Sequence, residues 1–492
     1  MVPSLWYVIL QLSELLGLPV DKATVPVILV LAIVLAIPYR IFLHPSRADA
    51  TTRHIVAIGL GFYFSYYLHS WGVVILLVKA VLCYILMVYL NPTYMPKVVF
   101  AVAMGILTVV NFREFLRDSP GNNVVRALMI FTAKITSLAW SLHDGFARDR
   151  AILSDFRSKK VVRRIPSVLE YTSYLFHFQA LAVGPFCFYK DYIDFIEGKH
   201  VVPYKAIKDG KEVVIHKEPP VTSNVMRKTA LAIIFAAINV TMTSRIPLED
   251  NIGKPVLASA FVYRVFYALS CIWLVFLPLY AFVWILGDVA CNISGFGFNG
   301  YDSSGEPKWD LVSDIRIKPA YLCSNMKESI DCWHMSINNW LRYVSYERLR
   351  RHNLILTYLL SMIWHGFLPG YIWFYVGCLT LAIAQKRGRR VIRPYFTTSK
   401  QRKLFYDFIT WFGHWLVLPC YQVMFQLRHN ARIVMFGRAN YFWGHFVTVI
   451  LLILVYCMKP PKKSESDNVD THESRSLSNN SGSMAKNCDK QD

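Results

Sequence analysis

The sequence predicts an all-α polytopic membrane protein with ten to twelve membrane helices, and three observations support this fold class. First, 54% of the 492 residues are hydrophobic and only 17% are charged, whereas a soluble protein carries about 25% charged residues. Second, apolar runs long enough to span a bilayer recur along the chain. Third, the basic residues behind the net charge of +21 lie in short segments between these runs. An ordinary cytosolic enzyme and a disulfide-rich secreted domain are therefore excluded, and the membrane edge explains the basic charge better than nucleic acid does.

A spanning helix needs about 20 mostly apolar residues, and many segments approach or exceed this length. They are 24–43, 55–70, 72–90, 97–112, 124–142, 169–188, 226–246, 257–289, 353–384, 404–427 and 440–458. The runs 257–289 and 353–384 are long enough to be broken or paired helices. We expect breaks at Pro278 and at the Pro369-Gly370 pair, because neither residue type continues a helix without loss.

The two ends of the chain differ from this pattern. Residues 1–20 hold Glu14 in a short apolar stretch without a basic leader, so they predict an interfacial or re-entrant helix rather than a signal peptide. Residues 464–492 are rich in Ser, Asn and Asp and have almost no large apolar residue, so residues 459–492 are predicted to form a disordered tail. The membrane-embedded domain is therefore predicted to cover residues 1–458.

Basic segments indicate the orientation in the membrane. Residues 147–164 and 385–403 are strongly basic, and lysines also follow the last apolar run. The excess of basic residues in cytosolic loops places all three segments, and the tail, on the cytosolic side. The polar stretch 199–222, with Asp209-Gly210 near its centre, is consistent with a small hairpin outside the bilayer.

Three patterns bear on a metal site, a dinucleotide-binding site or a hydrolase triad, and none of them supports such a site. No CxxC pair occurs, so we expect no metal site and ten free cysteines. The spacing Gly295-x-Gly297-x-x-Gly300 matches the dinucleotide fingerprint, but no strand precedes it, and we interpret it as a flexible loop approaching the substrate site. His143-Asp144 lacks an accompanying GxSxG motif, so we interpret it as a polar pair at a helix end near the cytosolic face.

The clearest functional candidate is His365, in the run Trp364-His365-Gly366-Phe367-Leu368-Pro369-Gly370-Tyr371. An ionisable group at membrane depth is energetically unfavourable, so we expect one to be retained for a reason. This histidine is therefore either functional or bonded to a backbone carbonyl in the protein core. A neutral imidazole accepts a proton near neutral pH, which suits a general base. The break at Pro369-Gly370 would free backbone groups and open a cavity beside it.

The second candidate is the segment Trp333-His334-Met335-Ser336-Ile337-Asn338-Asn339-Trp340-Leu341-Arg342. In a helix, His334, Asn338 and Arg342 would share one polar face, backed by tryptophans. Such a face suits the wall of a wet cavity. It equally suits an amphipathic helix at the membrane surface with tryptophans among the headgroups, and the spacing leaves both interpretations open.

Further motifs accompany these two segments. They are Leu142-His143-Asp144-Gly145, Arg164-Ile165-Pro166-Ser167, Leu169-Glu170-Tyr171, Gly184-Pro185, Tyr189-Lys190-Asp191-Tyr192, Phe195-Ile196-Glu197-Gly198, Gly295-Phe296-Gly297-Phe298-Asn299-Gly300-Tyr301 and Trp309-Asp310-Leu311. Together they resemble the membrane-bound O-acyltransferase family over roughly residues 20–458. The likeness is close enough to name the lysophospholipid acyltransferase branch, and the motifs look most like the members of that branch that use lysophosphatidylethanolamine, lysophosphatidylserine or lysophosphatidylcholine.

This resemblance implies a fold of roughly 11 transmembrane helices around an intramembrane catalytic chamber. It implies transfer of a fatty acyl group from acyl-coenzyme A to the free hydroxyl of a lysophospholipid, in the endoplasmic reticulum membrane. Acyl-coenzyme A would be a co-substrate, and no cofactor would be bound permanently. His365 matches the essential histidine of the family. The family has an asparagine where this chain has His334, so either His334 or Asn338, one turn further on, is expected to take the polar role.

The substrate cavity is expected to include four further side chains, namely Trp333, Trp364, Tyr301 and His143. Two alternative functions stay open. In the first, an enzyme of the same fold acylates another acceptor, such as a sterol, diacylglycerol or a protein. In the second, the chain is not an enzyme but a transporter or a degenerate lipid-binding member of the family. The departure at His334 favours the degenerate member.

Overall fold

Long apolar helices make up the body of the protein. The computed structural model describes residues 5–16, 19–116, 123–147, 153–201, 204–208, 211–215, 219–248, 256 and 258–459. Within these ranges six helices are long and apolar enough to cross a membrane, or seven if one bent pair is a single span. The polytopic helical fold is therefore confirmed, whereas the number of about eleven spans stays a prediction. Most of the predicted tail, from residue 460 onwards, lies outside the described residues.

The N-terminal half is built around one buried helix. Its helices are α1 (Leu5–Leu16), α2 (Val20–Phe42), α3 (Ala50–His69), α4 (Val73–Tyr89), α5 (Met95–Leu116), α6 (Asn123–Phe146), α7 (Asp155–Ser158), α8 (Val168–Phe176) and α9 (Tyr189–Ile196). Of the 18 most apolar consecutive residues of α6, 78% are buried inside the protein. The corresponding share is 28–39% in the spans formed by α2 to α5. α6 is therefore the central helix of this half.

One predicted span of this half is wrong. Residues 169–188 do not form one helix, because α8 ends at Phe176 and only a short 3-10 turn, Phe178–Ala180, follows it. Gly184 then has a φ of +91° and Pro185 lacks a backbone N–H, so neither residue continues a helix. The apolar character of the stretch reflects burial within the protein rather than a crossing of the membrane.

The predicted hairpin is confirmed. Strands β1 (Tyr204–Lys208) and β2 (Lys211–Ile215) pair in antiparallel register, with Tyr204 opposite Ile215 and Lys208 opposite Lys211. The Asp209-Gly210 turn between them lies outside the described residues. This hairpin is the one departure from helical structure among the named elements.

The C-terminal half contains the two segments singled out in the sequence. Its helices are α10 (Thr222–Arg245), α11 (Phe261–Ser270), α12 (Leu277–Ser294), α13 (Ile317–Leu322), α14 (Met326–Cys332), α15 (Met335–Leu341), α16 (Asn353–His365), α17 (Pro369–Val391), α18 (Arg393–Phe396), α19 (Lys400–Leu427), α20 (Asn430–Ala439) and α21 (Trp443–Cys457). Two π-helical segments accompany them: Cys271–Phe276 joins α11 to α12, and Arg342–Tyr346 follows α15.

Only one of the two predicted helix breaks exists. The chain leaves the helix after His365, and α17 begins at Pro369, as expected. The break at Pro278 is wrong, because α11, the first π-helical segment and α12 form one continuous span. Pro278 is the second residue of α12, and the wider π-helical turn before it accommodates the missing backbone donor.

Basic side chains, two of them buried and one half-buried, bind the ends of three helices. Arg53 is 1% exposed and donates to the carbonyl oxygens of Phe195 (3.0 Å) and Ile196 (2.6 Å) at the end of α9. Lys134 does the same at the end of α8, and Arg387 at the end of α21. The last carbonyls of a helix have no hydrogen-bond partner within the helix, and they form the negative end of its dipole. A cation at this end supplies the missing hydrogen bonds and balances the negative charge.

A buried ion cluster fixes the end of α6. The carboxylate of Asp144 has no solvent exposure, and it accepts two hydrogen bonds from Arg348, at 3.0 and 2.9 Å. Arg157 and the hydroxyl of Tyr343 also donate to it, at 2.7 and 3.2 Å. Because Tyr343 belongs to the second π-helical segment, this cluster ties that segment to α6. The sequence-based interpretation of Asp144 as a structural polar group is consistent with this arrangement.

We expect Asp144→Ala to destabilise the fold strongly, because it leaves two largely buried guanidinium groups without their anion. Loss of one partner of such a pair costs about 3–5 kcal/mol of unfolding free energy. A thermal melt of the detergent-solubilised protein measures the change. Lys159→Ala is the control, since it removes an ion pair with Asp155 in which the lysine side chain is 68% exposed. Equal melting temperatures for the two variants would contradict the role of the cluster.

Candidate active site

A cavity of about 970 Å³ lies among the helices of the C-terminal half. Its walls come from the first π-helical segment, α12, α14, α15, the second π-helical segment, α16, α17 and α19. Four of the predicted site residues line it, namely His365, His334, Asn338 and Trp333. The structure therefore brings together the two segments that the sequence singled out.

His365 is the last residue of α16, and its backbone surroundings depend on glycine. Gly366 has a φ of +114°, and a Cβ atom there would lie 3.1 Å from the side chain of Asn111, so larger residues are strained at this position. Within the described residues, no protein hydrogen bond to either ring nitrogen of His365 is present. The imidazole is held by packing, and its nitrogens are left for a ligand.

Four aromatic rings surround this imidazole. The distances between ring centroids are 4.8 Å to Trp364, 5.8 Å to Tyr371, 5.5 Å to Tyr375 and 5.4 Å to Phe425. α17 and α19 supply three of these rings, and they approach closely at Gly370, where a Cβ atom would lie 2.3 Å from the carbonyl oxygen of Met424. Gly370 thus allows α17 to start close enough to α19 to complete the wall around His365.

His334 adopts a left-handed backbone conformation, with φ +50° and ψ +48°. It precedes α15 instead of lying in it, so the expected single helical face of His334, Asn338 and Arg342 is wrong, although all three line the cavity. Histidine and asparagine are among the residues that tolerate this conformation best after glycine. The His334 ring stacks on Trp284, with centroids 4.6 Å apart and planes 16° apart.

The membrane-surface alternative for this segment is wrong. Trp340 has no solvent exposure, and its indole N–H donates to the Thr136 hydroxyl of α6 at 2.9 Å. An interfacial helix would instead present its tryptophans to the headgroups. α15 therefore lies in the interior, with its polar face on the cavity.

Asp314 is a site residue that sequence analysis missed. Its backbone carbonyl accepts from the N–H of Met335 at 2.8 Å, and its carboxylate accepts from the N–H of Ser336 at 3.0 Å. These are the first amides of α15, which a residue at the position of His334 commonly satisfies with its own side chain. Because Asp314 takes over this capping, the His334 side chain is free to face the cavity. Burial raises the pKa of the Asp314 carboxyl to about 7.

The other three predicted cavity residues lie outside the cavity. Trp364 sits directly behind it, 1% exposed, and donates to the carbonyl oxygen of Met129 in α6 at 2.9 Å. The Nδ1–H of His143 donates to the carbonyl oxygen of Pro92 at 2.8 Å. Tyr301 forms a β-bridge in the glycine-rich loop after α12, and none of that loop lines the cavity, which corrects the expectation that it approaches the substrate site.

One end of the cavity is basic, and we call it the basic mouth. Its charged residues are Lys327, Asp331, Arg342, Glu347, Lys386, Arg389 and Arg390. Lys327 pairs with Asp331, and Arg342 pairs with Glu347, at 2.6 Å in each case. Among the described residues, the three cations at the end of α17 form no ion pair, although Arg389 also interacts electrostatically with Glu328 on α14. A polyanion is the ligand that such an unbalanced mouth suits.

The remaining wall is mainly apolar. Ile272 and Phe276 come from the first π-helical segment, Leu277 begins α12, and Trp284 and Trp333 add aromatic surface. Both π-helical segments therefore border the same cavity, which fits the frequent occurrence of π-turns at functional sites. In the described part of the chain, no three His, Cys, Asp or Glu side chains converge as metal ligands would. The cavity thus combines a basic mouth, an apolar wall and two histidines.

Comparison with known proteins agrees with this architecture. The profile of the membrane-bound O-acyltransferase family matches residues 85–426. Membrane-bound glycerophospholipid O-acyltransferase 2 of Rattus norvegicus is 33% identical over 465 residues, 93% of this chain and 89% of that protein. Lysophospholipid acyltransferase 6 of Drosophila melanogaster is 34% identical over 81% of this chain and 56% of that protein. The lysophospholipid acyltransferase of Schizosaccharomyces pombe is 27% identical over 85% of this chain and 82% of that protein. The chain belongs to the membrane-bound O-acyltransferase family.

Proposed function

We propose that the protein transfers a fatty acyl group from acyl-coenzyme A to the free hydroxyl of a lysophospholipid, with His365 as the general base. The observation that carries this proposal is His365 itself, which lines a cavity enclosed by apolar helices with no protein hydrogen bond to its ring nitrogens among the described residues. Hydroxyl activation needs such a base, and the apolar surroundings suit a lipid acceptor.

The reaction needs one proton acceptor and one charge stabiliser. His365 takes the hydroxyl proton as the hydroxyl oxygen attacks the thioester carbonyl carbon, and then returns it to the departing thiolate. His334 or Asn338, on the facing wall of the cavity, donates a hydrogen bond to the acceptor oxygen or to the developing oxyanion. A general base typically contributes about 10²–10⁴ in rate, and a positioned donor a comparable factor.

The basic mouth supports coenzyme A as the acyl carrier, because Lys386, Arg389 and Arg390 match its phosphates. α17 lines the cavity from Phe374 to Arg390, which is about 24 Å at 1.5 Å per residue. An extended thioester arm would therefore reach from phosphates at the mouth towards His365. The mouth would then lie on the cytosolic side of the membrane, where the basic segment 385–403 is also expected.

The names of the relatives support a lysophospholipid as the acceptor. Two are called lysophospholipid acyltransferases and one a glycerophospholipid O-acyltransferase. The protein would then work as a multi-pass enzyme of the endoplasmic reticulum membrane, where a lipid acceptor reaches the cavity sideways. A sterol, diacylglycerol or protein acceptor is the competing possibility, and an acceptor panel separates them.

Microsomes containing the wild-type chain are expected to transfer labelled acyl groups from acyl-coenzyme A to at least one lysophospholipid. His365→Ala should reduce this transfer by about 10²–10⁴-fold, because it removes the base, while the amount of inserted protein is unchanged. The measurement is labelled phospholipid formed per amount of protein, over a panel of lysophospholipids, sterol and diacylglycerol. Transfer only to a sterol or diacylglycerol would replace the proposed acceptor, and full activity of His365→Ala would remove the proposed base.

The choice between His334 and Asn338 is open to a direct comparison. His334→Ala is expected to lower activity by about one to three orders of magnitude, the effect of losing one positioned donor. His334→Asn should keep activity, because asparagine tolerates the left-handed backbone and offers a donor and an acceptor. A severe Asn338→Ala beside a mild His334→Ala would transfer the role to Asn338. An inactive wild type that His334→Asn activates would identify a degenerate enzyme.

The phosphate-binding role of the mouth predicts a selective change in the affinity for the donor. The double variant Arg389→Gln, Arg390→Gln should raise the KM for acyl-coenzyme A by about tenfold, since charge-assisted hydrogen bonds contribute about 1.5–3 kcal/mol each before solvent screening. The kcat and the KM for the lysophospholipid should stay within about threefold. Lys403→Gln is the matched control, because this exposed lysine of α19 lies outside the cavity. Equal effects of both variants would indicate non-specific surface charge.

A further inference from the structure

A phenol hydroxyl lies on the cavity wall close to His365. Tyr375, on α17, lines the cavity, and its ring centroid is 5.5 Å from that of His365. The hydroxyl of Ser361 donates to the Tyr375 hydroxyl oxygen at 2.9 Å. Because one lone pair of the phenol oxygen is taken in this way, its own hydrogen points elsewhere. Among the described residues, that hydrogen has no protein acceptor.

The position of this hydroxyl along the cavity follows from the helix geometry. Ser361 and His365 are four residues apart on α16, so they share one face at a separation of about 6 Å along the axis. α16 and α17 run in opposite directions from the turn at Gly366, and the basic mouth is at the far end of α17. Ser361, and the Tyr375 hydroxyl bound to it, therefore lie one turn closer to the mouth than His365.

We propose that Tyr375 is a catalytic hydrogen-bond donor to the thioester carbonyl oxygen, and that Ser361 orients it. The inference rests on the proposed function, because it assumes a thioester entering from the basic mouth. As the acceptor oxygen bonds to the carbonyl carbon, the π electrons of the carbonyl move onto its oxygen, and the Tyr375 hydroxyl stabilises that charge. When the carbonyl re-forms, the carbon–sulfur bond breaks and the thiolate takes the proton held by His365.

This assignment explains the order of groups along the cavity wall. An acyl-coenzyme A molecule that enters from the mouth passes the phenol before it reaches His365. Its carbonyl oxygen can therefore bind the Tyr375 hydroxyl while its carbonyl carbon lies near His365. The two groups then act on different atoms of the same reaction: the base on the attacking oxygen, and the phenol on the carbonyl oxygen. Pre-orientation by Ser361 matters because donors fixed before the reaction stabilise an oxyanion without rearranging.

Tyr375→Phe tests the proposal, because it removes one oxygen atom and keeps the ring. We expect kcat to fall by about 10²–10³-fold, the effect of losing one oxyanion donor, with the KM for the lysophospholipid within about threefold. Ser361→Ala should give a smaller loss, since the phenol remains but is no longer oriented. The control is Tyr421→Phe. Tyr421 is buried, packs against the same helix at Gly377 and donates to the carbonyl oxygen of Gly444, but it lies outside the cavity.

Two unreactive analogues separate this role from a structural one and do not need turnover. A ketone analogue, with a methylene group in place of the sulfur, keeps the carbonyl, whereas an S-alkyl coenzyme A lacks it. Tyr375→Phe should weaken binding of the ketone by about tenfold and leave the thioether within about twofold. Equal weakening of both, or a kcat within threefold of wild type, would overturn the proposal. A wild type without acyl transfer to any lysophospholipid would refute the proposed function instead, and the two binding constants would still test Tyr375.

Discussion

Two indole hydrogen bonds to α6 hold the active site together. Trp340 donates to Thr136 and Trp364 donates to the carbonyl oxygen of Met129, each at 2.9 Å, so both histidine-bearing segments are fixed to the same central helix. The two tryptophan rings also pack on each other, with centroids 5.5 Å apart. Because an unpaired indole N–H is unfavourable in a dry interior, each tryptophan has one favourable position against α6. The distance between the segments that carry His334 and His365 is therefore set by α6, although no residue of α6 lines the cavity.

Buried cations perform a second structural task. Arg53 and Lys134 each bind the last carbonyls of a neighbouring helix, so part of the basic charge lies inside the fold rather than at the membrane edges. The high net charge thus has two origins, namely orientation in the membrane and satisfaction of helix ends. In a lipid environment the second is demanding, because water is not available to complete the helix termini. Short helices such as α8 and α9 can end within the protein for this reason.

The sequence predicted the parts of the site that depend on local pattern. The ionisable residue in an apolar run, the glycine after it and the break before Pro369 located His365 and the turn beside it. Three features were not predicted, because each depends on a contact between separate elements. They are the left-handed backbone of His334, the capping of α15 by Asp314 and the hydrogen bond between Ser361 and Tyr375. The false span at 169–188 has a related cause: hydropathy measures burial, and it does not distinguish burial in protein from burial in lipid. The continuous passage through Pro278 likewise required the preceding π-helical turn, which has no clear sequence signature.

The conformation of His334 also limits which residues can replace it during evolution. Glycine, asparagine, aspartate and histidine fit a left-handed backbone with little strain, whereas β-branched residues do not. Within that group only asparagine and histidine offer a donor and an acceptor while remaining neutral. Their codons differ at a single base, so one nucleotide change exchanges them without passing through a strained or charged intermediate. An exchange between asparagine and histidine at this position is thus the shortest mutational path between two neutral donor–acceptor side chains that the backbone permits.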